Sequence, residues 1–189
     1  MANPLLGDEN DMKIVVLEGS PNRKGSSNLL AAEFIHGAED AGHSVTVVDA
    51  GHEDIHPCGG CVHCGYEGPC AQKDSVGKIR KMILEADMMV FVTPLYYYGM
   101  SAQLKTLIDR FCAFNSSIQR KHMKAALLAV AWNDDEWTFE ALVSHYKTLV
   151  RYLNLMDMGM VLGAECGTPA MTQRSEFPKL AYELGRTLS

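Results

Sequence analysis

Short, nearly continuous apolar runs alternate along the chain with segments in which apolar residues return every three or four positions. The runs are "KIVVLEG" (13–19), "SVTVVDA" (44–50), "DMMVFVTP" (87–94) and "AALLAVAW" (125–132). Runs of this kind suit parallel strands covered on both faces. A fifth, "LMDMGMVLG" (155–163), is interrupted by Asp157 and Gly159, as an edge strand can be. Between the runs, Leu30, Phe34, Ile35 and Ala38 share one helical face, and Val76, Ile79, Ile83 and Ala86 share another. Leu104, Leu107, Ile108 and Phe111 keep the same period, and Leu142, Val143, Tyr146, Leu149, Val150 and Leu153 extend it over several turns. Phe177, Leu180, Ala181 and Leu184 complete the series, with Pro178 in the first turn. Strand alternating with helix five times predicts a doubly wound α/β fold with a five-stranded parallel sheet. Residues 51–74 are too long for a plain crossover, and insertions of that length are usually functional or disordered.

Composition narrows the class. A chain of 189 residues fits one domain, expected over 13–189, with 1–12 as a loose N-terminal tail. Apolar residues make up 47% and charged residues 21%, the balance of a globular protein. A net charge of −6 argues against non-specific binding of nucleic acid, which needs a basic footprint. No apolar run reaches the length of a membrane span, and the first residues lack the pattern of a signal peptide, so the expectation is a cytoplasmic protein with no membrane partner.

The first strand is followed by "GSPNRKGSSN", Gly19 to Asn28. It is not a P-loop, because Gly25 comes one position late and no lysine follows it. It is not a dinucleotide fingerprint, because Ser20 and Pro21 follow Gly19. What remains is Ser20, Asn22, Ser26, Ser27 and Asn28 around a helix start. Hydroxyl and main-chain donors there, aided by the helix dipole, suit a phosphate without lysine or magnesium. A plain helix cap by Ser26 or Ser27 is the simpler reading, but it accounts for only one or two of the five polar groups.

Together, "GSPNRKGSSN" and "TPLYYYGMSAQLKTLIDR" (93–110) resemble the flavodoxin-like NADPH-dependent FMN reductase family, over about residues 13–165. The resemblance implies sheet order 2-1-3-4-5, with FMN as cofactor and NAD(P)H as co-substrate. It makes Ser20, Ser26 and Ser27 the phosphate-binding positions, with Asn28 one residue beyond and Arg23 or Lys24 lending charge. It also implies a homodimer or homotetramer with the flavin near the subunit contact.

In that strand order the loops after the first and third strands flank one crevice at the topological switch point. The third-strand loop therefore lies beside the phosphate loop. The resemblance puts Pro94, Leu95, Tyr96, Tyr97 and Gly99 along the isoalloxazine, with Tyr98 less defined. Main-chain N–H groups of this loop are expected to support charge on the reduced ring. An exposed hairpin tip or an oligomer contact is the other reading of three tyrosines. After the fourth strand, Trp132 and Asn133 are candidates for the far side of the ring, although a tryptophan there is as often packing. Lys105, Asp109 and Arg110 match the family's K…DR and are expected to form structural ion pairs.

The spacing C-x2-C-x2-C-x5-C, formed by Cys58, Cys61, Cys64 and Cys70, can wrap a [4Fe–4S] cube or a zinc ion. It is similar to the cysteine motif of iron–sulfur flavoproteins. Metal-free thiols or a redox pair are the other reading, since flavin reductases with a like segment carry no cluster. Cys112 is expected to pack as a small hydrophobe.

The expected activity is hydride transfer from NAD(P)H to bound FMN and on to a small acceptor, such as a flavin or a quinone. The cofactor would carry the chemistry, so no side chain is expected to act as catalytic acid or base. The alternative is an electron-transfer carrier holding FMN and a [4Fe–4S] cluster.

Overall fold

A computed structural model describes residues 11–188. The expected N-terminal tail falls outside the described residues up to residue 10. Met12 is already packed into the core, and its carbonyl accepts from the Ser44 N–H at 2.9 Å.

Five parallel strands, β1 (Lys13–Glu18), β2 (Ser44–Asp49), β3 (Met88–Pro94), β4 (Lys124–Val130) and β5 (Met156–Gly163), form one sheet in the order β2-β1-β3-β4-β5. All seven residues of β3 are buried, as a central strand covered on both faces requires. β2 and β5 are the edges, and more of their residues reach solvent.

Helices cover both faces. α1 (Ser26–Asp40) and α7 (Phe177–Arg186) pack against each other on one side, over Ile14, Val16, Val90 and Leu128. α2 (Val76–Glu85), α3 (Ala102–Asp109) and α5 (Glu140–Tyr152) cover the other, over Val15, Leu17, Phe91 and Leu127. Alternate strand residues thus feed two separate cores, as the two-residue period of a strand dictates.

Most of the expected helical faces are buried. Ile35, Val143, Leu149, Val150, Phe177 and Leu184 are half-buried, and Leu180 is exposed on α7, where Ala181 takes the inward position. Three short elements were not legible in the periodicity: a 3-10 turn at Arg110–Phe114, α4 (Asn115–Lys121) and α6 (Pro169–Arg174). The apolar period through Phe111 suggested one continuous helix. The backbone instead tightens after Asp109, which turns Arg110 inward.

The interruption of the fifth run has a structural cause. The Tyr146 hydroxyl, on α5, donates to Asp157 Oδ1 at 2.9 Å, and the same oxygen accepts the Gly159 N–H at 3.0 Å. Gly159 has φ +122°, and the β4–β5 register slips between Ala125 and Leu127. Burial, reinforced by the Asp157 partner, raises the Tyr146 phenol and keeps it a donor.

Candidate functional site

The carboxyl ends of β1, β3 and β4 open into one crevice of 190 Å³. From the first loop it is lined by Ser20, Asn22, Gly25, Ser26 and Ser27, and from the third by Pro94, Leu95 and Tyr96. Val130, Ala131 and Trp132 follow from β4, with Cys166, Gly167 and Pro169 from beyond β5. The switch-point rule explains this gathering, because neighbouring strands whose crossovers run in opposite directions leave a gap between their loops.

The first loop is held by its own polar groups. Ser20 Oγ accepts the Asn22 N–H at 3.1 Å and donates to the Asn22 carbonyl at 3.0 Å. Asn22 Oδ1 accepts the Lys24 N–H at 3.1 Å. Arg23 does not face the crevice; its Nε pairs with Asp49 Oδ2 at 3.2 Å on the surface.

The N-cap of α1 is Gly25, which has no side chain to offer, so neither Ser26 nor Ser27 caps the helix. Ser26 is buried, and its Oγ has no hydrogen-bond partner. A buried hydroxyl without a partner costs about 1–3 kcal/mol. Its place at the start of a helix makes an anion the partner that fits. Ser27 Oγ meets only Asn28 Oδ1, at 3.3 Å.

Asn28 itself does not line the crevice. Its Nδ2 donates to Glu18 Oε2 at 2.9 Å. Burial, then the nearby Asp49 charge, raises the Glu18 carboxyl from 4.5 to about 7. The sequence had singled out neither Glu18 nor this pairing.

The first and third loops are tied together. The Gly19 N–H donates to the Val92 carbonyl at 2.8 Å. The buried Ser101 hydroxyl donates to the Gly19 carbonyl at 2.6 Å and accepts the Leu104 N–H at 3.3 Å, capping α3. A Cβ on Gly19 would lie 2.5 Å from Leu104 Cβ, so only glycine permits this approach.

The tyrosine run forms a tight hairpin. Tyr96 and Gly99 exchange both main-chain hydrogen bonds, at 3.2 and 3.1 Å. Tyr97 and Tyr98 between them have φ +46° and +62°, the pattern of a type I′ turn. Tyr96 alone of the three lines the crevice; Tyr97 is fully exposed, and Tyr98 packs on Trp137 with ring centroids 4.9 Å apart. Gly99 is likewise outside the crevice lining. Leu95 donates to the Val130 carbonyl at 2.8 Å, so the N–H groups of Leu95, Tyr96 and Gly99 are engaged within the chain and are not open to a ring.

Trp132 is exposed and lies directly on Gly167: a Cβ there would come 1.9 Å from Trp132 Cε3. Asn133 is turned into its own loop, donating to Asp135 and Thr138 at 2.9 Å each. Cys166, Gly167 and Pro169 carry no motif. The signal that places them at the crevice is their position after a parallel strand.

In the cysteine insertion, Cys58 and Cys61 are exposed, while Cys64 and Cys70 are half-buried. Cys64 is the hydrogen-bond neighbour of Cys112, and Cys70 lies against Arg110. Burial, then the Cys64 thiol, pushes the Cys112 thiol up to about 11. Cys112 therefore faces the loop and is not a plain core residue. Among the described residues no three Cys, His, Asp or Glu side chains come together as metal ligands. Cys58, Cys64 and Cys70 all lie near enough to Cys112 for their charge to raise its thiol.

The insertion is anchored by an ion pair. Arg110 Nη2 donates to Asp74 Oδ1 at 3.1 Å, and Arg110 Nη1 bonds both Asp74 Oδ2 and the His56 carbonyl. Both side chains are buried. Burial opposes ionisation of Asp74, but the Arg110 guanidinium and the His56 and Val76 N–H donors hold its carboxyl below the usual range. Lys105 pairs with Asp109 on the surface of α3, as the four-residue spacing suggests. Arg110 pairs across the fold instead.

Residues 12–165 match the family described as NADPH-dependent FMN reductase. The chain belongs to this family. An iron–sulfur flavoprotein of Methanocaldococcus jannaschii is 33% identical over 119 residues, 63% of this chain and 62% of that one. An NADPH azoreductase of a Bacillus species is 30% identical, over 64% of this chain and 59% of the relative. The chain spans between about half and three-fifths of the iron–sulfur flavoproteins it matches (62%, 47% and 48% for three of them). Among solved structures, an NAD(P)H:quinone oxidoreductase from Methanothermobacter marburgensis superposes with TM-score 0.76 at 20% identity, covering 95% of this chain and 96% of that one. At that identity the likeness concerns the flavodoxin-like fold. No helix among the described residues is long and apolar enough to cross a membrane.

Proposed function

We propose that the chain binds FMN in the β1/β3/β4 crevice and passes hydride from NAD(P)H to a small acceptor such as a flavin or a quinone. The observation that carries this reading is the partnerless, buried Ser26 hydroxyl at the uncapped start of α1, in a chain of the FMN reductase family. A phosphate monoester supplies the acceptor oxygens that the site lacks.

Bound FMN would supply reversible hydride-accepting chemistry. The chain's part is to hold and orient it. Ser26 would grip the phosphate, joined by Ser20 and Ser27 as their hydroxyls turn from Asn22 and Asn28, with Asn22 at the rim. Pro94 and Leu95 would form the wall beneath the ring, and Tyr96 and Trp132 its two flanks. A crevice of 190 Å³ is smaller than the usual 300–1,000 Å³ of sites that enclose a ligand. One ring face would therefore stay open to a nicotinamide and then to the acceptor. No side chain in the crevice is given an acid or base role.

The exposed rings of Tyr97, Tyr98 and Trp137 beside the crevice support a homodimer or homotetramer in which a second copy covers this rim. Tyr97, Tyr98 and Gly99 would then act on the flavin through the shape of the turn and the subunit contact.

The test is anaerobic. Protein reconstituted with FMN should bleach near 450 nm within seconds of adding NADPH (roughly the pace of ordinary enzyme turnover) and regain its colour on adding a quinone. A colourless protein that takes up no FMN overturns the reading. So does bound FMN that NADPH leaves oxidised.

A further inference from the structure

A second cavity, of about 580 Å³, lies on the α2 side of the sheet, outside the crevice and sharing no residue with it. Its size falls in the range of sites that enclose small organic ligands. One wall is apolar, formed by Leu84, Ala113 and Phe114. Among the charged side chains of its lining, four cations, Lys73, Arg80, Lys81 and Arg110, outnumber two carboxylates, Asp74 and Glu85, in a chain whose net charge is −6. Asp74 is already committed to Arg110.

Arg110 supplies the deciding detail. Its side chain is only 1% exposed and forms part of this wall. Nη1 bonds Asp74 and the His56 carbonyl, Nη2 bonds Asp74, and the Cys70 thiol lies against the same guanidinium, while Nε is buried with no hydrogen-bond partner. A guanidinium N–H left empty in a dry site is costly, and an anionic oxygen is the partner that repairs it. Arg80 lies over the Phe114 ring at 5.9 Å, which leaves a flat cationic and aromatic surface beside that position.

We propose that this cavity is a second ligand site, one that takes a small organic anion: a carboxylate or similar oxyanion on a planar apolar body. The head group meets Arg110 Nε and the Arg80 and Lys81 charges. The body lies on Phe114 and Leu84. The site is independent of the flavin crevice and of the hydride reaction assigned to it.

Gly77 provides a test that leaves the charges in place. It lines the cavity on α2, and a Cβ built on it meets nothing within 4 Å, so Gly77→Phe fills the space without a clash at the backbone. The probe is 2-naphthoate, with the neutral 2-naphthamide as its isostere, measured by equilibrium dialysis against FMN-saturated protein. The naphthoate should bind at least about tenfold tighter than the amide, as a charge-assisted hydrogen bond requires. Arg80→Glu should weaken it by a similar factor, and Gly77→Phe should abolish it, with FMN content unchanged in both. No naphthoate binding at millimolar concentration overturns the proposal. Equal binding of acid and amide also overturns it, as does binding that survives both substitutions and so belongs to the flavin crevice.

Discussion

The Ser101 hydroxyl sits 2.6 Å from the Gly19 carbonyl and joins two loops that are 82 residues apart in the chain. The same oxygen caps α3 through the Leu104 N–H. One buried side chain thus fixes the first and third loops at a common distance. Ser101→Ala is expected to cost about 1–3 kcal/mol of stability in urea unfolding, from the lost cap and the orphaned carbonyl together. It should also raise the FMN dissociation constant, because the two walls of the crevice are no longer held together. A variant as stable and as flavin-tight as the parent removes Ser101 from this role.

Ser26 and Ser27 carry the anion assignment. Replacing both with Ala should weaken FMN binding by about 1–3 kcal/mol, the worth of charge-assisted bonds to a buried phosphate. Stability without flavin should hold steady or rise, since the orphaned Ser26 Oγ is removed. Flavin affinity measured by fluorescence quenching decides the matter; an unchanged value speaks against the site.

Glu18 gives the pH dependence a sign. Its carboxyl titrates at about 7 in the fold and at 4.5 without burial and the Asp49 charge. Between those values the native state holds a proton that the unfolded chain has released. Stability therefore falls as pH rises through that window. Glu18→Gln has no such proton. Melting temperature plotted against pH should slope downward for the parent relative to the variant from pH 4.5 to 7. Parallel curves would contradict the raised carboxyl.

Trp132 rests on the backbone of Gly167, in space that a methyl group would take. Gly167→Ala should push the indole off its seat. Trp132 is exposed, so it can move at little cost in stability. In a Trp137→Phe background, quenching of Trp132 fluorescence by added FMN should fall in the Gly167→Ala variant. Quenching of equal depth would place Trp132 away from the flavin.

The cysteine loop is anchored by the buried pair of Asp74 and Arg110, to which Cys64 and Cys70 add contacts with the core. Changing Cys58, Cys61, Cys64 and Cys70 together to Ser should leave FMN content per chain unchanged. Stability should drop by no more than about 1–2 kcal/mol, from the contacts that Cys64 and Cys70 make with the core. Loss of flavin on this substitution would tie the loop to the cofactor.

The alternation of apolar runs and helical periods by itself determined the five strands, their order of appearance and most inward-facing residues. It could do so because burial on both sheet faces writes itself into every position of a strand such as β3. The serine-rich loop and the "TPLYYYG" segment were legible as site material for a similar reason: small and turn-forming residues mark where the backbone must bend sharply or meet an anion. Tertiary structure alone decided which of those residues share a space. It turned Asn28 to Glu18 and Arg23 to Asp49, lifted Tyr97 and Tyr98 to the tip of a turn, and brought Cys166, Gly167 and Pro169 to the crevice. It also took Arg110 across the fold to Asp74 and left its Nε empty. Such pairings join residues tens of positions apart, and periodicity carries information only about near neighbours; the partner of a polar side chain is set by where the sheet order carries it.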